Sequence, residues 1–212
     1  DLITATASER SLMTLDPTAV VSFDLFRQNP FPYLEVRRPF ILGTAERKWK
    51  ATLSHYFMRV LYDKGILQRI YTQNIDGLDF QLGLPEEMII PVHGSVGQVI
   101  CEACGSGEDY DIFREAVRTN IKDIYDVDPS APKHSAPIVC KSCGNAAVNP
   151  ATVLFGRSLP ARFFDSSPQD CAQTDLMFII GTSLMVQPIA SLPDNLAATA
   201  LHVLVNRDPV YG

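Results

Sequence analysis

The sequence predicts an α/β fold in which a mostly parallel sheet carries a small inserted domain that binds zinc through four cysteines. Two observations lead to this prediction. Short apolar runs alternate with segments of helical periodicity, which is typical of parallel strands that helices cover on both faces. Two Cys-x-x-Cys pairs then interrupt the alternation in the middle of the chain and mark the inserted domain.

The apolar runs and the helical segments can be placed in order along the chain. Strands are predicted in five places, namely 66–72, 88–95, 151–156, 175–183 and 200–206. Helices are predicted in four places, namely 19–28, 44–64, 109–121 and the stretch after Pro188. Prolines between 31 and 42 are expected to break any long element in that stretch.

Four of the predicted strands end in polar or glycine residues, namely Gln73-Asn74-Asp76, His93-Gly94, Gly181-Thr182-Ser183 and Asn206. Ligands of parallel α/β sheets bind at the carboxyl ends of the strands, and buried polar groups need partners. We therefore expect the four ends to share one edge and to face a ligand. The alternative for Asn74 and Asp76 is an ordinary Asx turn.

The cysteines are grouped in a way that favours a structural metal. Four of them form two pairs, Cys101/Cys104 and Cys140/Cys143. Each pair is followed by a glycine, which permits the tight turn of a zinc knuckle. Four thiolates leave no coordination position for water, so we expect structural zinc rather than catalytic zinc. The alternative is two disulfides. Cys171 stands alone and is expected to be a small core residue.

Composition excludes some classes of function. The chain has a net charge of −6 and no basic run, so we expect no direct nucleic-acid binding. Its acidic surface would attract a basic partner, such as a lysine-rich peptide. No apolar stretch is long enough to span a bilayer, so no membrane partner is expected. The first residues do not resemble a signal peptide.

Several motifs in combination resemble those of the sirtuins, the NAD-dependent protein deacylases. They are YTQNIDGLD, VHGS, the two Cys-x-x-Cys-Gly knuckles, VLFG, GTSLMVQP and VLVN, and they cover roughly Ser22 to the end of the chain. The resemblance is closest to the cytoplasmic and nuclear deacetylase branch. It implies a Rossmann-like NAD-binding domain formed by 1–97, which includes a helical insert, and by 148–212, with the zinc-binding domain at 98–147.

The same resemblance implies an activity and its cofactors. NAD and an acetyl-lysine protein or peptide would enter a cleft between the two domains, and the acetyl group would pass to ADP-ribose with release of nicotinamide. Zinc would remain structural. His93 would be the general base that activates ribose hydroxyls, since imidazole changes its charge near neutral pH. The alternative for His93 is a structural histidine, which is also how His55, His134 and His202 are interpreted.

The remaining site residues are also assigned through the resemblance. The nicotinamide and ribose would be lined by Gln73, Asn74, Ile75 and Asp76. Phosphate and adenosine would be contacted by Gly181, Thr182, Ser183 and Asn206, with a helix N-terminus following the strand. Val153 and Phe155 would flank the acetyl-lysine tunnel and pair with the peptide backbone, the alternative being ordinary sheet core.

The sequence departs from the sirtuin pattern in a few places. It contains no Gly-Ala-Gly and no Asp-Phe-Arg, and we expect that the printed chain omits a front segment that carries them. Arg157 stands where the family often has Glu, beside the peptide groove. Acidic acyl groups require a Tyr-x-x-Arg pair, and the only such spacing, Tyr56 to Arg59, is interpreted as scaffold, which favours acetyl over succinyl.

Two other functions remain open at this point. One is a catalytically silent zinc-containing binding module, and the other is mono-ADP-ribosyl transfer from the same cofactor to protein. Paired thiols suit a reducing interior, so the cytoplasm is the expected compartment and the nucleus is the alternative. The sequence indicates neither the physiological protein substrate nor the oligomeric state.

Overall fold

The computed structural model describes residues 3–209. Its α-helices are α1 (Ala7–Leu15), α2 (Phe23–Gln28), α3 (Phe31–Ala45), α4 (Leu53–Asp63), α5 (Tyr110–Asn120) and α6 (Ala161–Gln173). Its strands are β1 (Ile70–Thr72), β2 (Ile89–Pro91), β3 (Gly94–Cys101), β4 (Val148–Thr152), β5 (Leu176–Ile180) and β6 (Leu201–Val205). Four helices precede β1, β2 and β3, and the order then continues with α5, β4, α6, β5 and β6.

The strands form three two-stranded sheets in the part of the chain that the structure describes. The β1–β2 and β5–β6 pairs are parallel, in agreement with the predicted parallel pairing. The β3–β4 pair is antiparallel, with an irregularity between Ser95 and Val99. The run at 151–156 therefore does not extend the parallel sheet. Instead, β3 leads into the cysteine region, and β4 returns beside it.

The segment with prolines corrects one prediction, because it is a helix of 15 residues, α3. Pro32 lies in the first turn, where its missing N–H is not needed. Pro39 lies inside the helix and removes one backbone hydrogen bond. Burial offsets that cost, since Tyr33, Leu34 and Ile41 are at most 2% exposed.

Two helix predictions were too long. The predicted helix at 44–64 begins only at Leu53, and Trp49 lies before it and packs its ring 5.5 Å from that of Phe40. The stretch after Pro188 forms only two 3-10 turns, Ile189–Ser191 and Pro193–Asn195. By contrast, the predicted helix at 19–28 corresponds to α2 together with the 3-10 turn before it. The predicted helix at 109–121 corresponds to α5.

The largest apolar cluster joins the two predicted domains. It packs α3 against α5 and against the β3–β4 pair. A buried polar network reinforces this contact: Arg38 donates to the Asp128 carboxylate at 2.6 Å, and Glu35 accepts from the Ser135 hydroxyl. Asp123 accepts from three backbone N–H groups of the same loop. The long loop after α5 is therefore fixed onto α3.

A second apolar cluster packs α6 beside β1 and β2, and Cys171 is one of its buried members, as predicted. The expectation that helices cover both faces of every strand is wrong for β6, whose residues are exposed along the whole strand. On β5, Phe178 meets the ring of Phe57 from α4 at 5.2 Å. No helix within residues 3–209 is both long enough and apolar enough to cross a membrane.

Candidate functional site

A continuous chain of hydrogen bonds joins the ends of the four parallel strands. His93, after β2, bonds the Gln73 carbonyl oxygen through Nδ1 at 3.0 Å. Gln73, after β1, donates from Nε2 to the Thr182 hydroxyl at 3.0 Å. Asn206, after β6, donates from Nδ2 to the Thr182 carbonyl oxygen at 3.2 Å. The prediction that the strand ends share one edge is therefore confirmed by direct contacts.

The partner of His93 determines which ring nitrogen carries the proton. A backbone carbonyl oxygen can only accept, so His93 must hold its proton on Nδ1 to make the 3.0 Å bond. Its Nε2 then keeps a lone pair and can accept a proton from a ligand hydroxyl. The side chain is half-buried, and its backbone carbonyl accepts from Val153 N–H at 2.8 Å. Both ends of the residue are thereby held in place.

Gly94, the residue after His93, is required by the close approach of β4. Its φ is +77°, and a Cβ at this position would lie 2.0 Å from the carbonyl oxygen of Ala151. No side chain fits in that space, whatever its rotamer. The His-Gly dipeptide therefore lets β3 pair tightly with β4 and places Thr152 opposite Gly94.

The residues after Gln73 form a turn and also line the cleft beside His93. One oxygen of Asp76 accepts from Leu78 N–H at 3.0 Å, so the Asx-turn alternative holds for that oxygen. Asn74 is exposed, and Ile75 is half-buried. Asp79 is only 3% exposed, and burial raises the pKa of its carboxyl. All three residues 74–76 line the same cleft as His93.

That cleft has a volume of about 550 Å³. Val153 and Phe155 line it, but their backbone N–H groups already donate to His93 and Val21. The predicted pairing with a peptide backbone would therefore have to use other groups of this segment. Arg157 also lines the cleft, lies 4.6 Å from the ring centre of Phe23 and pairs with Glu102 at 3.5 Å.

One wall of the cleft was not predicted from the sequence, and it is formed by Tyr33, Arg37 and Phe40 of α3. These positions are spaced by four and three residues, which places them on one helix face. That spacing is a signal of a helix in the sequence, but the prolines of this stretch argue against a helix there. Val186 and Gln187, far from α3 in the sequence, also line the cleft.

The predicted phosphate end has the expected residues but not the expected helix. Gly181 has a φ of +63° and donates its N–H to the Val205 carbonyl oxygen, and Thr182 accepts from Leu184 N–H. No α-helix begins after Ser183 within the described residues, so a helix dipole cannot contribute there. Any anion at this end would have to be bound by single N–H and hydroxyl groups.

The four paired cysteines form a site with the dimensions of a zinc tetrahedron. Their sulfur atoms all lie within 4.8 Å of one another, and the Cys101–Cys143 and Cys104–Cys140 pairs are 3.7 Å apart. A tetrahedral site with Zn–S bonds of about 2.3 Å has sulfur–sulfur edges of about 3.8 Å. None of the cysteines forms a disulfide, so that alternative is wrong for this structure.

The two cysteine turns are built alike, which explains the glycine after each pair. Gly105 N–H donates to the Cys101 carbonyl oxygen, Gly144 N–H donates to that of Cys140, and both glycines have a φ of +73°. Asn145 Nδ2 also donates to the Cys143 sulfur at 3.2 Å. Such donors favour thiolates, so the residues present fit a structural zinc ion.

Comparisons with known proteins agree with this geometry. The chain is 35% identical over 195 residues to the NAD-dependent protein deacetylase hst2 of Schizosaccharomyces pombe, covering 91% of this chain and 53% of that protein. It is 36% identical over 192 residues to the NAD-dependent protein deacetylase sirtuin-2 of Danio rerio, covering 91% and 46%. The chain therefore spans about half the length of these curated relatives.

A solved structure shares the fold. It comes from work on "The Structural basis of Sirtuin Substrate Affinity", has a TM-score of 0.71 at 24% identity, and is matched over 88% of this chain and 69% of that chain. The model of the Sir2 family matches residues 5–188, which include the cleft, the zinc site and the ends of β1, β2 and β5, but not the end of β6. This chain belongs to the Sir2 family.

Proposed function

We propose that this chain acts as an NAD-dependent protein-lysine deacetylase. The observation that carries the proposal is the chain of hydrogen bonds from His93 through Gln73 and Thr182 to Asn206, in which His93 and Gln73 also line the cleft. The names of the relatives at 35% and 36% identity support the same activity. NAD would supply the ribose to which the acyl group is transferred.

The chain's own residues would divide the work as follows. His93 Nε2 would take a proton from a ribose hydroxyl, while the Nδ1 bond to Gln73 keeps the ring oriented. Gln73, Asn74, Ile75 and Asp76 would hold the nicotinamide half, and Gly181, Thr182, Ser183 and Asn206 the adenosine half. Val153 and Phe155 would flank the acyl-lysine. The zinc ion, held by the four cysteines, would take no part in the chemistry.

The test is incubation of the protein with NAD and an acetyl-lysine peptide. Deacetylation requires a peptide product lighter by one acetyl group, together with free nicotinamide, both seen by mass spectrometry. ADP-ribosyl transfer would instead make a protein heavier by one ADP-ribose. If the peptide keeps its acetyl group and no protein gains ADP-ribose, at full zinc content, the result would favour a silent binding module and refute the proposal.

We further propose a basic, lysine-rich protein segment as the substrate and the cytoplasm as the compartment, with the nucleus as the alternative. The net charge of −6 favours a basic partner, and the thiolate site suits a reducing interior. The tests are a comparison of acetyl peptides with basic and acidic flanks at two salt concentrations, and imaging of the tagged protein in cells. A preference for acidic flanks would contradict the first part.

A further inference from the structure

A buried carboxyl group lies just after the segment that is predicted to hold the nicotinamide half of NAD. Asp79 is only 3% exposed, and its Oδ2 has no hydrogen-bond partner among the described residues. It follows Asp76, the last predicted lining residue, by three positions, but within residues 3–209 it does not itself line the cleft. A buried polar group costs free energy unless it is paired. Its presence here therefore needs a reason other than direct contact with a ligand.

The imidazole of His55 on α4 faces this carboxyl group. His55 Nε2 lies 3.9 Å from Asp79 Oδ1, and both side chains are largely buried. His55 Nδ1 accepts from the backbone N–H of Thr52 at 3.1 Å, and a backbone N–H can only donate. The ring proton therefore lies on Nε2, so the ring turns its N–H toward Asp79. Because 3.9 Å exceeds the length of a hydrogen bond, the attraction between the two groups is electrostatic.

Asp79 belongs to a 3-10 turn, Leu78–Leu82, that is fastened to α4. Arg59 on α4 donates from Nη1 to the Leu82 carbonyl oxygen at 2.8 Å. This bond holds the end of the turn, whereas the contact between His55 and Asp79 holds its beginning. The turn that follows the lining segment is therefore fixed to one helix at both of its ends.

The beginning of the turn is coupled to the lining segment through Thr72, the last residue of β1. Burial raises the pKa of the Asp79 carboxyl, and hydrogen bonding with the Thr72 side chain opposes part of that rise. The Thr72 hydroxyl also accepts from Asn74 N–H at 3.2 Å. Between these two residues lies Gln73, whose carbonyl oxygen orients the imidazole of His93. A path of contacts therefore leads from Asp79 to the cleft lining and to the proposed base.

We propose that Asp79 is a positioning residue for cofactor binding, which acts through Thr72 on residues 73–76 and is itself oriented by His55. This inference rests on the proposed NAD-dependent function and deepens it. Among the described residues neither Asp79 nor His55 lines the cleft, so both act by fixing the backbone that receives the nicotinamide half. His55, which the sequence alone leaves structural, thereby acquires a role in the site.

Calorimetric titration of NAD into the full chain tests the proposal without turnover. Asp79→Leu cannot bond Thr72, so we expect its affinity for NAD to fall about tenfold, the equivalent of one hydrogen bond of ordinary net strength. Asp79→Asn keeps a hydrogen-bonding side chain of the same size and should recover most of that loss. Affinity for an acetyl-lysine peptide should stay within about twofold in both variants. A parallel fall in both affinities would mean a merely structural role and would overturn the proposal.

Variants of His55 test the path of contacts. His55→Leu should weaken NAD binding less than Asp79→Leu does, because its contact with Asp79 is longer than a hydrogen bond. In the double variant His55→Leu/Asp79→Leu the two losses should not add, since both act through one carboxyl group. Glu86→Leu is the matched control, because it removes an exposed carboxylate shortly after the same turn and should leave NAD affinity unchanged. Additive losses, or an equal loss in the control, would contradict the path.

Hydrogen exchange without NAD provides a second measurement. The backbone amides of residues 73–78 should exchange about tenfold faster in Asp79→Leu, while those of β5 should exchange as in the unmodified protein. If Asp79→Leu does not fold, His55→Leu and Asp79→Asn are compared with the unmodified protein in both measurements. NAD affinity and amide exchange that stay unchanged in every folded variant would overturn the proposal.

Turnover separates this inference from the proposed function. Weaker NAD binding in Asp79→Leu, without NAD-dependent deacetylation by the unmodified protein, would refute only the function. Deacetylation by the unmodified protein, with the same NAD affinity in all variants, would refute only the inference. An unmodified protein that binds no NAD would refute both.

Discussion

His93 Nδ1 lies 3.0 Å from the carbonyl oxygen of Gln73, so the imidazole of one strand end is oriented by the backbone of the neighbouring strand end. Because the acceptor is a carbonyl group, the tautomer is fixed and Nε2 remains available as a base. The orientation of the base therefore depends on the parallel pairing of β1 and β2.

Replacement of His93 tests its role as the general base. His93→Tyr should lower NAD-dependent deacylation by about 10²- to 10⁴-fold, the usual contribution of general acid–base catalysis. Zinc content and thermal unfolding should stay near those of the unmodified protein, because the side chain is only half-buried. His134→Ala, at an exposed loop position, is the matched control and should keep full activity. Equal activity of the two variants would refute the role.

Gly94 is predicted to tolerate no side chain. Gly94→Ala should lower the free energy of unfolding by about 2–5 kcal/mol, the sum of left-handed backbone strain and overpacking against the Ala151 carbonyl. Gly65→Ala provides the control, since its φ is +68° but no atom lies within 4 Å of the added carbon. That variant should lose only about 1–2 kcal/mol. Denaturant unfolding of both variants gives the comparison, and similar losses would show that the clash is relieved.

Removal of the metal should unfold the zinc-binding domain at 98–147 while leaving the parallel strands intact. Cys140→Ser should reduce bound zinc from about one ion per chain to near zero, because three thiolates no longer close the tetrahedron. Limited proteolysis should then cut within 98–147. Cys171→Ala, like Cys140→Ser, removes one of the five cysteines, but it leaves the zinc site complete and should therefore retain zinc. Metal analysis by mass spectrometry decides, and retention of zinc by Cys140→Ser would contradict the ligand set.

The strand ends could be predicted from the sequence because their signal is local. An apolar run followed at once by a polar group, as at Gln73 or His93, needs no knowledge of the partner strand. The same holds for the paired cysteines. The antiparallel return of β4 could not be predicted in this way, since strand pairing joins residues that are distant in the sequence, such as Gly94 and Thr152, which are 58 positions apart.

The wall of the cleft on α3 was missed for a different physical reason. Proline is unfavourable inside a helix, but this cost is only about 3 kcal/mol, and burial of several large side chains exceeds it. Tertiary packing of Tyr33 and Ile41 thus overrides the local preference of Pro39. Since Arg37 lies on the same helix, the error about secondary structure also concealed an arginine that lines the cleft.

The last prediction concerns the ion pair that fastens α6 to β1. Arg69 donates from Nε and Nη2 to the two carboxylate oxygens of Asp170 at 2.8 and 3.1 Å, and the Tyr71 hydroxyl donates to the same carboxylate. Asp170→Asn should lower the free energy of unfolding by about 2–3 kcal/mol. The value is below the roughly 3–5 kcal/mol of a fully buried pair because the Arg69 side chain is 24% exposed.

The pH dependence of that loss follows from the direction of the pKa shift. Burial alone would raise the pKa of Asp170, but the hydrogen bonds from Arg69 and Tyr71 outweigh it and lower the pKa in the folded state. A lowered folded-state pKa stabilises the protein above the ordinary carboxyl value of about 4 and ceases to do so as pH falls through the folded value. The difference in unfolding free energy between the unmodified protein and Asp170→Asn should therefore be constant from about pH 7 to about pH 5 and shrink below about pH 4.

Asp165→Asn, an exposed change on the same helix, should show neither the loss nor its pH dependence in the same denaturant titrations. A difference that instead grows on acidification would mean that Asp170 is protonated more readily in the folded protein, which this hydrogen-bond arrangement does not allow.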